Sequence, residues 1–410
     1  MFINDWYYYR FKGGPMTLAI SLGILVISFI MLGGFTFFTV RHRSRGESMP
    51  LVNIEGQPVP RVSILIPSRN SDADLDNIIE SIFLVDYPDF EIVYAMDTMN
   101  GPVVDTIKKF QAQYPHVTCK IMATGHSQSE NPKVYKLAKM EDEASGDLYW
   151  VLDTNIRVKR DTLNRLVNEY LQNGAKLIFS PIHGEGGKTL GGIIESSYFN
   201  HFLSGNVIMA WKLFRLPIVV GKSLLIERKA LDRFGGFTYF KDYLAEDYVM
   251  GETFTQSKIP ISTNCTWVTS VSHGATLRSF FSRMARWAKL RYRLAFHFYL
   301  LEIVLNPITL AAASALTLGS KTGLLVLAAS IGLKIMLEFI SYLFLDSQGR
   351  RSLKVILLLP LAILIKDMLL LAVYFTPFFS CQVEWRGGKI SIGKRTLISF
   401  SQESLLFDGV

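Results

Sequence analysis

"DLYWVLDTN", residues 147–155, is an apolar run of strand length that ends in Asp153, with Asn155 two positions on. A short apolar run bounded by polar residues reads as a buried β-strand. A carboxylate at the end of such a strand stands where an α/β sheet receives its ligand. The neighbouring stretches repeat the pattern. "RVSILIPS" (61–68), "FEIVYAMD" (90–97), "VTCKIMAT" (117–124) and "AKLIFSPI" (175–182) read as strands, while "DLDNIIESIFLV" (74–85) and "PVVDTIKKFQAQY" (102–114) have helical spacing. Strands alternating with helices predict a mostly parallel sheet covered on both faces.

Outside this α/β part the chain is apolar. Of its 410 residues 49% are hydrophobic and only 19% charged, a greasier balance than soluble proteins show. Residues 17–40 carry no charge, enough for a helix to cross about 30 Å of hydrocarbon. A signal peptide is the competing reading, but there is no A-x-A-like site and "RHRSRG" comes next. Arg41, Arg43 and Arg45 after this run predict a cytoplasmic position for the region C-terminal to them. Three later apolar runs cover about 300–319, 322–345 and 355–379. The last contains Pro360, Lys366, Asp367 and Pro377, so it is expected to bend, to enter only part way or to lie at the interface. Three full trailing spans would put the end of the chain outside, yet "WRGGKISIGKR" is basic; one run is therefore expected to be incomplete. Cys119, Cys265 and Cys381 form no CxxC pair, which fits a reducing compartment and argues against a zinc site. The net charge of +8 is read as facing anionic lipid, with no nucleic-acid partner.

Three acidic sites carry the chemistry: Asp97 and Asp153 end strands, and "YLAEDYVMG" (243–251) sets Glu246 beside Asp247. Taken singly, each strand-end acid reads equally well as a helix cap, and the Glu246–Asp247 pair as a solvated helix start. Residues 278–300, "RSFFSRMARWAKLRYRLAFHFYL", add five arginines, one lysine and seven aromatics with no acid. Arg286, Lys289 and Arg293 recur at helical spacing, and Phe280, Met284, Trp287 and Leu294 form an apolar stripe. That pattern predicts an amphipathic helix on a membrane surface. Lys133 in "NPK" is a candidate phosphate contact, with an exposed lysine as the alternative.

Together these residues resemble the processive-type GT-A glycosyltransferases, and among them the ceramide glucosyltransferases. The order Asp97, Asp153, Asp247 and "RMARW" (Arg283, Arg286, Trp287) is similar to that family's D, D-x-x, ED and (Q/R)xxRW signature, and "NPKVYKL", "LDTNIRV", "AEDY", "SRMARWAKLR" and "WRGG" add local matches. The resemblance implies an α/β GT-A domain plus transmembrane helices. It divides the chain into an anchor (1–45), a cytosolic catalytic domain (46–277), an RxxRW interfacial helix (278–299), membrane segments (300–380) and a cytosolic tail (381–410). It implies an inverting transfer of a sugar, glucose by this likeness, from a UDP-sugar to the primary hydroxyl of a membrane lipid such as ceramide. Asp247 is then the base, Arg283 and Arg286 face the leaving diphosphate, and Trp287 walls the acceptor or sugar. Asp97, Asp153, Lys133 and Glu246 would bind the nucleotide-sugar. Mg²⁺ or Mn²⁺ would sit at Asp153, with His273 as a further candidate ligand or simply a structural histidine. Asn155 stands where the family often has a second acid, which leaves the coordination open. Two alternatives are a UDP-N-acetylglucosamine-dependent enzyme acting on hopanoid alcohols, and a membrane scaffold that keeps the fold without turnover.

Overall fold

The computed structural model describes residues 14–48, 58–68, 74–127, 130–318, 321–346, 352–385 and 388–400. Ten strands build the α/β part: β1 (Val62–Pro67), β2 (Phe90–Met96), β3 (Thr118–Ala123), β4 (Leu148–Leu152), β5 (Ile156–Arg157), β6 (Leu177–Phe179), β7 (Ile182–Glu185), β8 (Ser223–Glu227), β9 (Ile261–Thr263) and β10 (Val268–Val271). The main sheet runs β3-β2-β1-β4-β8-β6-β9. Its pairs are parallel except for the two that β8 makes, with β4 and β6. The mostly parallel α/β class read from the sequence is the one observed. From β1 the chain goes to β2 on one side and, later, to β4 on the other. That reversal opens a crevice at the carboxyl ends of β1 and β4, the usual place for a ligand in such sheets.

The side-chain alternation of a strand fills both faces. Ile64, Ile92 and Trp150 point into one core with Ile82, Val104 and Phe110. Leu65, Val93 and Tyr149 point into the other with Val134, Leu137 and Phe254. Trp150 is fully buried, and its indole N–H donates to Ser223 Oγ at 3.0 Å, tying β4 to the antiparallel β8.

The principal helices are α1 (Gly14–Ser48), α2 (Leu75–Phe83), α3 (Pro102–Gln113), α4 (Pro132–Glu141), α5 (Thr162–Asn173), α6 (Leu190–Ser197), α7 (Ser204–Phe214), α8 (Glu246–Gln256), α9 (Leu277–Leu294), α10 (Pro307–Leu318), α11 (Lys321–Leu345) and α12 (Leu353–Phe379). Among the described residues three helices are long and apolar enough to cross a membrane, Ala19–Gly46, Lys321–Leu345 and Leu353–Phe379. A fourth apolar stretch is broken: Phe296–Leu305 and Pro307–Leu316 meet at 67°. The break between helices falls here, in the run before the one with the internal prolines. Asn306 precedes a proline, which disfavours helical backbone, and Pro307 then opens a new helix where its missing N–H costs nothing. The Asn306 side chain caps it by accepting from the Thr309 N–H at 3.2 Å. Pro360 and Pro377 lie inside the continuous α12.

Two contacts join the layers. α6, a turn of π-helix (Tyr198–Leu203) and α7 leave the α/β domain and pack among the apolar helices; a Cβ at Gly205 would come within 2.4 Å of the Phe35 side chain on α1. The stripe of α9 is also internal. Phe280, Met284 and Ala288 are buried with Tyr198, Leu359 and Ile363, so the face expected to lie on lipid packs on α6 and α12. A small C-terminal sheet, β11 (Gln382–Trp385), β12 (Gly388–Ile392) and β13 (Ile398–Phe400), folds back on the loop before α8. Leu244 N–H donates to Thr396 O at 3.0 Å and Ile398 N–H to Asp242 O at 2.9 Å. Arg386 and Gly387 of "WRGG" lie outside the described residues.

Candidate active site

The site is organised by the first turn of α4. Asn131 caps it, its side chain accepting from the N–H groups of Lys133 and Val134 at 3.0 and 3.5 Å, and Pro132 starts the helix. The other end of the same amide donates to Glu246 Oε2 at 3.0 Å and to Tyr243 O at 2.8 Å. With that turn fixed, Lys133 and Lys136 project from one side, three positions apart. Lys136 is buried, lies 2.7 Å from Asp97 Oδ1 and donates to Ser68 O. Lys133 Nζ lies 2.9 Å from Asp153 Oδ1 and 3.3 Å from Glu246 Oε1, and donates to Gly221 O at 2.6 Å. One helical turn therefore holds both strand-end aspartates.

A second cation comes from the loop before β8. Lys222 lies 3.5 Å from Asp153 Oδ2 and donates to Asn155 Oδ1 at 3.0 Å. Burial alone would raise the Asp153 pKa, but Lys133 and Lys222 outweigh it and hold the carboxyl below its ordinary range. Burial works against the charge on Lys133, yet Asp153, Glu246 and Asp247 prevail and keep it firmly protonated. At Lys222 burial wins, and its pKa is lowered despite Asp153.

Glu246 and Asp247 open α8, where carboxylates meet unpaired helical N–H groups. Asp247 accepts from Gly221 N–H at 2.6 Å and from its neighbour Tyr248 N–H at 2.8 Å. Burial pushes both carboxyl groups upward, against the pull of Lys133. The approach of the Gly221 backbone requires glycine: a Cβ there would lie 2.9 Å from Asp247 Cβ and Oδ2 and 3.1 Å from Lys133 Nζ.

The arginine-rich helix reaches the same place. Arg283 pairs with the fully buried Glu195 of α6, which also accepts from Ser272 Oγ at 2.9 Å. The charges of Arg283 and Glu195 both bear on Lys222, which itself faces Asp153 at 3.5 Å. Arg286 is half-buried on the same helix, and Trp287 packs on Tyr198 and Phe199 with ring centroids 6.4 and 6.1 Å apart. His273 is engaged in another cluster, 3.3 Å from Glu185 Oε1 and 3.9 Å from Asp74 Oδ2, which Arg157 shares. Among the described residues no three His, Cys, Asp or Glu side chains gather as a ligand set.

Residues 25–398 match the family model described as glycosyl transferase family 21. The chain belongs to that family. Among its relatives, ceramide glucosyltransferase 3 of Caenorhabditis elegans is 26% identical over 60% of this chain and 54% of its own. Ceramide glucosyltransferase 1 of the same organism is 24% identical over 71% of this chain and 60% of its own. The family 21 chain thus spans little more than half the length of these two relatives. Among solved structures, the mannosyltransferase PcManGT from Pyrobaculum calidifontis, in complex with GDP-Man and Mn²⁺, superposes over 88% of this chain and 99% of its own, at 15% identity and a TM-score of 0.48.

Of the residues singled out in this family 21 sequence, Asp153, Lys133 and Glu246 meet directly, Asp247 joins them through the Gly221 backbone, Asp97 through Lys136 on the same helical turn, and the charge of Arg283 bears on Lys222. Sequence reasoning missed Asn131, Lys136, Glu195, Gly221 and Lys222. Asn131 was within reach, since Asn before Pro is a helix-start signal. Lys222 sits just before an apolar run, "SLLIE", that reads as a strand.

Proposed function

We propose that this chain is an inverting glycosyltransferase that moves a sugar, glucose in our reading, from a UDP-sugar to the primary hydroxyl of a ceramide-class membrane lipid. The observation that carries the proposal is the meeting of three features at the crevice: strand-end Asp153 with Lys133 and Lys222, the raised carboxyls of Glu246 and Asp247, and an arginine helix that runs on into the apolar layer. The relatives' names supply the lipid and the sugar.

In this reading Asp247 takes the proton of the acceptor hydroxyl, whose oxygen bonds to the anomeric carbon from the face opposite the diphosphate. The bond from that carbon to the diphosphate oxygen breaks and its electron pair leaves with UDP. A carboxylate whose pKa is raised toward the working pH is a better base than an ordinary one. Lys133, Lys222, Arg283 and Arg286 offer cations to the departing charge, the arginines with forked geometry suited to phosphate oxygens. Glu246 holds Lys133 and Asn131 in place, and Asp97 does the same for Lys136 on the nucleotide side.

Hard divalent ions at nucleotide sites take one or two carboxylates and complete their shell with phosphate oxygens and water. Asp153, at the strand end with its carboxylate partly open, fits that donor set; His273, paired with Glu185, is left out of it. A Mg²⁺ or Mn²⁺ ion held by Asp153 would neutralise the diphosphate. The catalytic domain is assigned to the cytoplasmic side from the arginines after α1. The C-terminal sheet rests on this domain, so the number of crossings between them is even. α11 and α12 would supply two and the bent pair none.

The test is mass spectrometry of lipids made by the purified chain from UDP-glucose or UDP-N-acetylglucosamine, with ceramide or a hopanoid alcohol. Hexosylceramide from UDP-glucose is the expected product. N-acetylhexosaminyl hopanoid alone would replace this reading with its rival, and no product with any pair would favour the scaffold.

A further inference from the structure

Ion pairs lie deep among the apolar helices. Lys334 stands near the middle of α11 and Lys366 at the middle of α12, each in a helix long and apolar enough to cross a membrane. Lys334 lies 3.0 Å from Glu338 and 3.3 Å from Asp367, Lys366 pairs with Glu338, and all four side chains are buried. The end of α6 and the π-helical turn after it join them: Ser197 Oγ donates to Glu338 Oε2 at 3.1 Å, and His201 Nδ1 lies 3.9 Å from Glu338 Oε1. Charges at such depth are costly and mark functional pathways more often than mere staples. If they served only to staple helices together, the space among them would be closed.

It is open. A cavity of about 60 Å³ is lined by these four residues and by Arg291 and Glu302, which pair at 2.6 Å. Three bases face three acids, so the wall is neutral overall while offering both donors and acceptors. Tyr198, Tyr299, Tyr374, Leu370 and Leu371 add an aromatic and apolar side to it. A polar, charge-balanced floor with apolar sides suits the neutral head of an amphiphile, an amide and hydroxyls, better than a phosphate. The volume exceeds the ~10–15 Å³ a single water requires, so it has room for a few polar groups but not for the tails.

Two helices lead from the cavity to the sugar-transfer site. α9 carries Arg283, paired with Glu195, and eight residues later Arg291 at the cavity, about 12 Å along the axis. α6 carries Glu195, and Tyr198 of the cavity wall comes within one turn of it. The axial offset of about 12 Å between Arg291 and Arg283 leaves room for a sugar ring and the head group's terminal hydroxyl. We infer that this cavity binds the neutral polar head of the acceptor lipid and delivers its hydroxyl toward Arg283 and Asp247, an inference that rests on the lipid-transfer reading above.

Two probes test it on the full chain in lipid nanodiscs. The first is a short-chain ceramide with a diazirine beside its amide, with a phosphatidic acid carrying the same group as comparison. Irradiation should label peptides containing Leu370, Leu371 or Tyr374 with the ceramide probe and not with the phosphatidic acid. The second is Leu371→Trp, which fills the cavity, against Met368→Trp on the outward face of the same helix, where Met368 is 73% exposed. Leu371→Trp should raise KM for short-chain ceramide at least ~10-fold, the scale of a small steric mismatch in an apolar pocket, and leave KM for UDP-glucose unchanged. Met368→Trp should change neither. Ceramide labelling confined to other peptides, equal labelling by phosphatidic acid, or an unaltered ceramide KM in a folded Leu371→Trp would overturn the inference. The labelling arm needs no variant. Labelling of the cavity without sugar transfer would sink the glucosyltransferase reading and keep the lipid site; transfer without such labelling would do the reverse.

Discussion

Replacing Gly221 by alanine adds one methyl group at the most crowded point of the site. The new Cβ would stand 2.9 Å from Asp247 Cβ and Oδ2 and 3.1 Å from Lys133 Nζ, against ordinary contacts of 3.4–4 Å. Lys133 can swing its flexible end aside, but Asp247 is anchored at the start of α8 and must move together with its backbone by about half an ångström. The displacement also strains the 2.6 Å bond that Gly221 N–H gives to Asp247 Oδ2, a hydrogen bond to a charged group worth ~1.5–3 kcal/mol. A misplacement of about 1 Å in a reacting geometry costs on the order of 10²-fold, so kcat should fall by roughly 10- to 100-fold. KM for UDP-glucose should rise less, because Lys133 keeps Asp153. Steady-state kinetics with UDP-glucose and short-chain ceramide would read both, and a thermal melt would show whether the fold survives. Gly332→Ala is the control, since nothing lies within 4 Å of a Cβ there. Wild-type kcat in a folded Gly221→Ala would refute the placing of Asp247 at the reacting centre.

The other expectations use different readouts. Asp247→Asn keeps the size and removes the proton acceptor: turnover should fall ~10²-fold or more while UDP-glucose binding by calorimetry persists, and loss of binding with intact turnover would reassign the residue. Because burial raises the Asp247 and Glu246 carboxyls, activity should grow as pH rises through an acid limb lying above the ordinary aspartate value. A limb at or below that value would contradict the burial argument. Chelation should abolish transfer and Mg²⁺ or Mn²⁺ should restore it; full activity in excess chelator would remove the ion from Asp153. Glu141 is pushed up from 4.5 to about 7, by burial first and then by Asp232. Its contribution to stability is fully present below pH 4.5 and lost as pH rises through about 7. Glu141→Gln should flatten that decline by about 1 kcal/mol, discounted because the carboxyl is partly exposed; an unchanged pH profile of melting would count against it.

Much of the fold was legible because it rests on local signals. The strand runs ending at Asp97 and Asp153 combine apolar length with terminal acids, and the structure places both at carboxyl ends of parallel strands that flank β1. Contact between distant segments could not be read. Nothing local in "GKSLLIE" announces an antiparallel strand that brings Lys222 to Asp153, and nothing in "IIESS" marks Glu195 as the partner of Arg283. The stripe on α9 shows the limit clearly. Periodicity gives an apolar face but cannot say whether lipid or protein covers it, and here protein does. The helix break in the run before α12 was not read from the sequence for a similar reason. Pro307 follows Asn306 at a break and starts a new helix, whereas Pro360 and Pro377 lie inside the single helix α12.

The most direct test is proton NMR of the lipid formed when the purified full chain is given UDP-glucose and ceramide. The donor carries its sugar in the α configuration, so a single displacement assisted by Asp247 predicts a β-linked glucose on the primary hydroxyl of ceramide, lost in Asp247→Asn. An α-linked product would contradict a single inverting displacement at this site, and free glucose with no glycolipid would contradict transfer to a lipid.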